Sequence, residues 1–157
     1  MTRYHGVELP GQMIKDLKEC IVHKDVLLHS GGRSSWIFDI LLIRDRLYSL
    51  ANKLDPRFPP VGIENGGMLL ALSLNSGNGI LRKSGEYYPP MWTSKSPISL
   101  IDDVVTTETS LRNSIKHLDD HGIEVGEILC VLDRRRPNRR ALEVKALVTP
   151  DQLGIPV

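Results

Sequence analysis

The chain has 157 residues, of which 41% are hydrophobic and 25% charged, proportions of an ordinary soluble domain that exclude wholesale disorder. Twenty Lys and Arg against nineteen Asp and Glu leave a net charge of +1, which excludes the basic footprint of a general nucleic-acid binder. The length predicts one domain over 1–157, no apolar run approaches the ~20 residues that span a bilayer, and the opening residues lack the charged-then-apolar order of a signal peptide.

In chain order, Met13, Ile14, Leu17, Cys20 and Ile21 share one face and predict a helix over 11–22. Strand-like runs at 26–29 and 36–40 flank the Ser30-Gly31-Gly32 turn. Ile43, Leu47, Leu50 and Leu54 repeat at helical spacing until Pro56, Pro59 and Pro60. A buried strand at 61–64, a Gly66-Gly67 turn, a short helix to about 75 and a strand at 79–83 follow. Segment 84–96 has no period and holds Pro89, Pro90, Tyr87, Tyr88 and Trp92, aromatic residues that suit either a lid or local packing. The apolar strand 98–102 ends in two carboxylates, and a helix marked by Leu111, Ile115 and Leu118 closes at Gly122. Strands at 127–133 and 143–148 complete the chain. Cys130 lies inside the apolar run ILCVL and Cys20 inside a helical pattern, so no disulfide is expected and the setting is read as reducing and cytoplasmic.

Such alternation predicts an α/β fold: a mostly parallel, twisted sheet with helices on both faces and ligands at the carboxyl ends of its strands. The stretch ISLIDDVVTTETSLRNSIKHL is the most informative. Asp102 and Asp103 project from a strand end, where adjacent carboxylates suit vicinal ribose hydroxyls. Thr106, Thr107, Thr109 and Ser110 open a helix whose free N–H groups suit a phosphate, or simply cap that helix. His117 and His121 lie one helical turn apart, but without an HExxH pattern they are read as a solvated face rather than a metal pair.

The run Asp102-Asp103-Val104-Val105-Thr106-Thr107-Glu108-Thr109-Ser110 resembles the phosphoribosyl pyrophosphate (PRPP) signature of type I phosphoribosyltransferases. Four further stretches, in family order over about 25–135, are similar to orotate phosphoribosyltransferases. They are the early segment His29–Asp39, the pyrophosphate loop Gly62–Gly67, the pair Arg82-Lys83, and Leu132-Asp133-Arg134. The resemblance implies a type I phosphoribosyltransferase-like domain, with residues 1–40 as a small amino-terminal hood carrying base contacts and 41–157 as the core. It implies transfer of a phosphoribosyl group from PRPP to a pyrimidine, orotate, in pyrimidine biosynthesis.

By that resemblance Asp102 and Asp103 orient the ribose, and residues 106–110, Glu108 included, hold the 5′-phosphate. Glu64, Asn65, Gly66, Gly67, Arg82, Lys83 and His29 face the pyrophosphate, while Phe38, Asp39 and Arg134 face the base. Lys95, Lys83 and Asp103 are the candidate catalytic groups. Several have a plainer alternative: Phe38 as core, Arg134 as one of a solvated basic run with Arg135, Arg136, Arg139 and Arg140, Gly66-Gly67 as an ordinary turn, and Arg82 and Lys83 as a rim salt bridge. Mg²⁺ is the implied cofactor, held mainly by PRPP and by no dedicated protein cage. The implied partners are the small-molecule substrates and a second copy of the chain, with neither membrane nor nucleic acid.

Two departures stand out. Segment 84–96 looks shortened, with Lys95 as its only cation after Lys83 and no histidine, and Glu108 stands where the family has glycine. A carboxylate beside a bound phosphate repels it, so Glu108 is expected to point to solvent and to weaken PRPP binding. These departures leave two other readings: a protein of the same fold that binds PRPP or a nucleotide without turnover, and a nucleotide-responsive regulator using the arginine run.

Overall fold

In a computed structural model, the described residues are 2–4, 7–28, 32–92 and 97–156. His29 and Lys95, both candidate site residues, lie outside them. Strands β1 (Thr2–Tyr4) and β2 (Val7–Leu9) form an antiparallel pair, followed by α1 (Gly11–Glu19). Strands β3 (Ile21–Leu27) and β4 (Arg33–Phe38) form an antiparallel hairpin, and a 3-10 segment Ile40–Arg46 runs into α2 (Leu47–Leu54). The predicted first helix stops short of 22. Cys20 caps it with its N–H on the Leu17 carbonyl, and Ile21 leaves to pair with Phe38, so strand pairing overrides a helical pattern.

The core alternates β5 (Pro60–Ile63), α3 (Gly66–Leu74), β6 (Gly79–Leu81), β7 (Tyr87–Tyr88), β8 (Ile98–Val105), α4 (Glu108–Asp120), β9 (Val125–Asp133) and β10 (Lys145–Val148). Six strands make one sheet in the order β10-β9-β8-β5-β6-β7, parallel except for β7. The stretch read as aperiodic therefore begins with an edge hairpin, turned at Gly85 with φ 91°.

Side chains alternate across the sheet, as a doubly covered sheet requires. Ile101, Leu129, Val131 and Leu147 meet α1, α2, α3 and Trp36 and Phe38 of β4 in one cluster. Leu100, Ile128, Cys130 and Ala146 meet Leu111 and Leu118 of α4 in the other. Helices thus lie on both faces, unequally divided.

One expected boundary moves. The strand read as ending at 102 continues to Val105, with Asp102, Val104 and Val105 paired to Cys130, Leu132 and Asp133. The β-branched pair Val104-Val105 suits a strand, and the long β9 supplies a partner throughout. The acidic pair therefore sits on rigid backbone rather than at the start of a loop.

Candidate functional site

Between β5 and β8, neighbours in the sheet, the chain leaves in opposite directions: from β5 into α3 toward β6, and from β8 into α4 toward β9. Such a divergence opens a crevice at the carboxyl ends of the strands. Segments 64–67 and 102–110 both empty into it.

Small residues let these two segments touch. A Cβ at Gly66 would fall 2.2 Å from Oδ2 of Asp103, and one at Gly67 would fall 2.1 Å from the Ile101 carbonyl oxygen. A Cβ at Gly62 would meet the Gly67 carbonyl oxygen at 2.2 Å. The glycine turn is thus specified by close packing of α3 onto β8, which an ordinary turn does not need.

Both acids are tied to their own backbone. Oδ1 of Asp102 accepts from the Asp103 N–H at 2.8 Å, and Oδ1 of Asp103 accepts from the Val104 N–H at 2.9 Å. Burial and then the Asp103 charge push the Asp102 carboxyl well above the ordinary range, while the Lys83 charge acts the other way. Immediately beyond, Thr107 is the N-cap of α4 but its side chain makes no capping bond. The hydroxyls of Thr106, Thr109 and Ser110 likewise bond to no other described residue. Free hydroxyls and free N–H groups at a helix start form an anion site.

At the other wall, Oε1 of Glu64 accepts from the Lys83 N–H at 3.0 Å, and its Oε2 lies 3.7 Å from Nη2 of Arg82. Arg82 and Lys83 are exposed at the end of β6. The Glu64–Asn65 peptide between the two walls is cis.

The third wall comes from the end of β9 and from β4. Arg134 is 8% exposed, so it is no member of a solvated run. Its guanidinium lies 3.5 Å over the Trp36 ring, and its Nη2 donates to Oγ of Ser34 at 2.9 Å. Burial lowers its pKa, and no carboxylate among the described residues acts against that. A buried guanidinium without a carboxylate partner, bonded here to a neutral hydroxyl, has the chemistry to pair with a planar anion. Ser34 and Trp36 were not singled out as site residues. The alternation of β4, which buries Ser34, Trp36 and Phe38 and exposes Arg33 and Ser35, is the signal that identifies that face. Phe38 itself lies in the core at 9% exposure, and Asp39 caps the following 3-10 segment by accepting from the Leu41 N–H at 3.0 Å.

The expectation that Glu108 points to solvent is overturned. Its side chain is 11% exposed and is turned from solvent into a cluster of donors. Burial opposes ionisation, but bonds from the Leu142 N–H, Arg112, the Ala141 N–H and Arg135 outweigh it and hold the pKa at about 2. Arg135 is also buried and Arg140 bonds to the Arg135 carbonyl, while Arg136 and Arg139 of the same run are exposed. Nδ1 of His121 lies 2.8 Å from the His117 carbonyl oxygen and its ring meets the edge of Tyr87, and no group of three or more metal-binding side chains occurs among the described residues.

No family model matches the chain. Orotate phosphoribosyltransferase from Methanocella arvoryzae is 27% identical over 90% of this chain and 95% of its own. The Aeropyrum pernix orotate phosphoribosyltransferase is 31% identical over 81% of this chain and 80% of its own. The crystal structure of the Aeropyrum pernix enzyme superposes with a TM-score of 0.69 at 23% identity, covering 90% of this chain and 96% of that one. No helix among the described residues is long and apolar enough to cross a membrane.

Proposed function

The chain belongs to the orotate phosphoribosyltransferase family of type I phosphoribosyltransferases, and from that premise we propose that it transfers the phosphoribosyl group of PRPP to orotate, releasing pyrophosphate. The observation that carries this reading is the crevice itself. An acidic pair, a turn of free hydroxyls and amides, and a buried guanidinium without a carboxylate partner border one opening.

In this reading the carboxylates of Asp102 and Asp103 accept from the ribose hydroxyls. The N–H groups and hydroxyls of 106–110 hold the 5′-phosphate. The backbone of 64–67 with Arg82 and Lys83 faces the pyrophosphate. Arg134 pairs with the carboxylate of the base, whose ring lies near Trp36. Displacement at the anomeric carbon needs no protein nucleophile. It needs the reactants aligned and the departing charge neutralised, and Lys83, whose charge acts on Asp102, is a described candidate for the latter.

Mg²⁺ fits this donor set. Asp102 and Asp103 offer hard carboxylate oxygens, the donor type of an ion that keeps phosphate and water ligands. When bound, Mg²⁺ would neutralise the leaving pyrophosphate. The family premise extends the proposal to a homodimer, which sedimentation velocity tests.

The deciding experiment incubates the protein with PRPP, Mg²⁺ and orotate, uracil, adenine or hypoxanthine and follows pyrophosphate release. Release with orotate alone is expected. Release with another base instead overturns the assignment of orotate. PRPP binding without release for any base leaves the non-catalytic reading.

A further inference from the structure

The buried charge cluster beside the crevice has no part in the reading above, and it centres on the residue that departs most from the family. Glu108 is the first residue of α4. Its Oε2 accepts from Nη1 of Arg135 at 2.6 Å and from the N–H groups of Ala141 and Leu142 at 2.7 and 2.8 Å. Its Oε1 accepts from Nη2 of Arg112 at 2.9 Å. Arg135, 2% exposed, is gripped in turn by Asp133: Nε donates to Oδ1 at 3.0 Å and Nη2 to Oδ2 at 2.9 Å. Nη1 of Arg135 also donates to the Leu142 carbonyl at 2.9 Å.

The cluster joins two parts of the crevice that are far apart in sequence. Asp133 is level with Val105 across the β8–β9 ladder, and the Arg134 N–H donates to the Val105 carbonyl at 2.9 Å. The chain therefore leaves β9 beside the turn that enters α4. Two consecutive arginines then diverge. Arg134 sends its guanidinium to Trp36 and Ser34, and Arg135 sends its guanidinium to Glu108. A paired, hydrogen-bonded buried charge of this kind resists displacement, because removing one partner leaves the other desolvated and unpaired.

We propose that Glu108 is a positioning residue: through Arg135 it fastens the first turn of α4 to the segment after β9, fixing the distance between the phosphate-binding turn and Arg134. The inference rests on the proposed function for the identity of the two subsites. It gives the carboxylate a role opposite to the repulsion that its place in the turn implied.

A ligand that spans both subsites feels this distance, and one that fills a single subsite does not. The experiment titrates wild type and Glu108→Gln by calorimetry with orotidine 5′-monophosphate, which carries both phosphate and base carboxylate, and with ribose 5-phosphate, which carries the phosphate alone. Gln keeps the shape and the acceptor for Ala141 and Leu142 but loses the ionic bond to Arg135. Expected are at least tenfold weaker binding of the nucleotide and less than threefold change for ribose 5-phosphate. Arg135→Lys, which cannot reach Asp133 and Glu108 together, should reproduce this pattern, and it carries the test if Glu108→Gln does not fold. Equal losses for both ligands, or no loss for either, overturn the positioning role. Tighter binding of both would restore simple repulsion and overturn it as well. A wild type that binds neither ligand overturns the proposed function first, a result distinct from any difference between variants.

Discussion

Gly66 lies directly against the side chain of Asp103: a Cβ on the glycine would sit 2.2 Å from Oδ2 and 2.3 Å from Cγ of the acid. The loop after β5 and the acid on β8 are therefore one packed unit. Neither can move without the other.

Gly66→Ala should accordingly displace Asp103 and weaken PRPP binding by at least tenfold. Overpacking of this sort costs about 1–3 kcal/mol of stability. Calorimetric titration with PRPP and Mg²⁺, alongside a thermal melt, checks both. Retained affinity in a stably folded variant would show that Asp103 does not hold the ribose.

Asp103→Asn keeps Oδ1, and with it the bond from the Val104 N–H, but removes the charge. A hydrogen bond to a charged group contributes about 1.5–3 kcal/mol, so PRPP affinity should fall by roughly tenfold or more with little change in stability. Unchanged affinity would sink the ribose assignment.

Arg134→Ala should discriminate between bases. Losing a bidentate, charge-assisted partner weakens a carboxylated pyrimidine by about 1.5–3 kcal/mol and leaves uracil nearly unaffected. The variant also uncovers the Trp36 ring face, so its melting temperature should drop. If orotate and uracil then lose affinity equally, the guanidinium is structural and not a base receptor.

The Glu108 cluster makes acid stability specific. Its carboxyl pKa is lowered from 4.5 to about 2 in the folded chain, so between those values the unfolded chain binds more protons. Stability from this group is present above about pH 4.5 and is lost as pH falls toward 2, by on the order of 2 kcal/mol in total. Urea unfolding of wild type and Glu108→Gln at a series of pH values should show a shallower acid slope for the variant. Parallel slopes would mean that the donors around Glu108 do not hold it ionised.

The alternation of apolar runs and helical periods was enough to determine the parallel sheet and its helices, because each strand and helix buries a face written locally in its own residues. The acidic pair, the hydroxyl turn and Gly66-Gly67 were legible for the same reason: their chemistry and spacing lie within single short segments. The boundary near 102 is not written locally, because whether Val104 and Val105 continue a strand depends on β9, which pairs with them from more than twenty residues downstream. Glu108 and Arg135 are less legible still. Taken in sequence, one is a charge in a phosphate turn and the other a member of a basic run. Only the tertiary structure brings them within 2.6 Å, because the parallel β8–β9 ladder sets the carboxyl ends of the two strands level with each other. There each replaces the water the other has lost. The tertiary structure likewise singled out Arg134 from its neighbours, by laying it on Trp36 of β4, a contact between residues nearly a hundred positions apart.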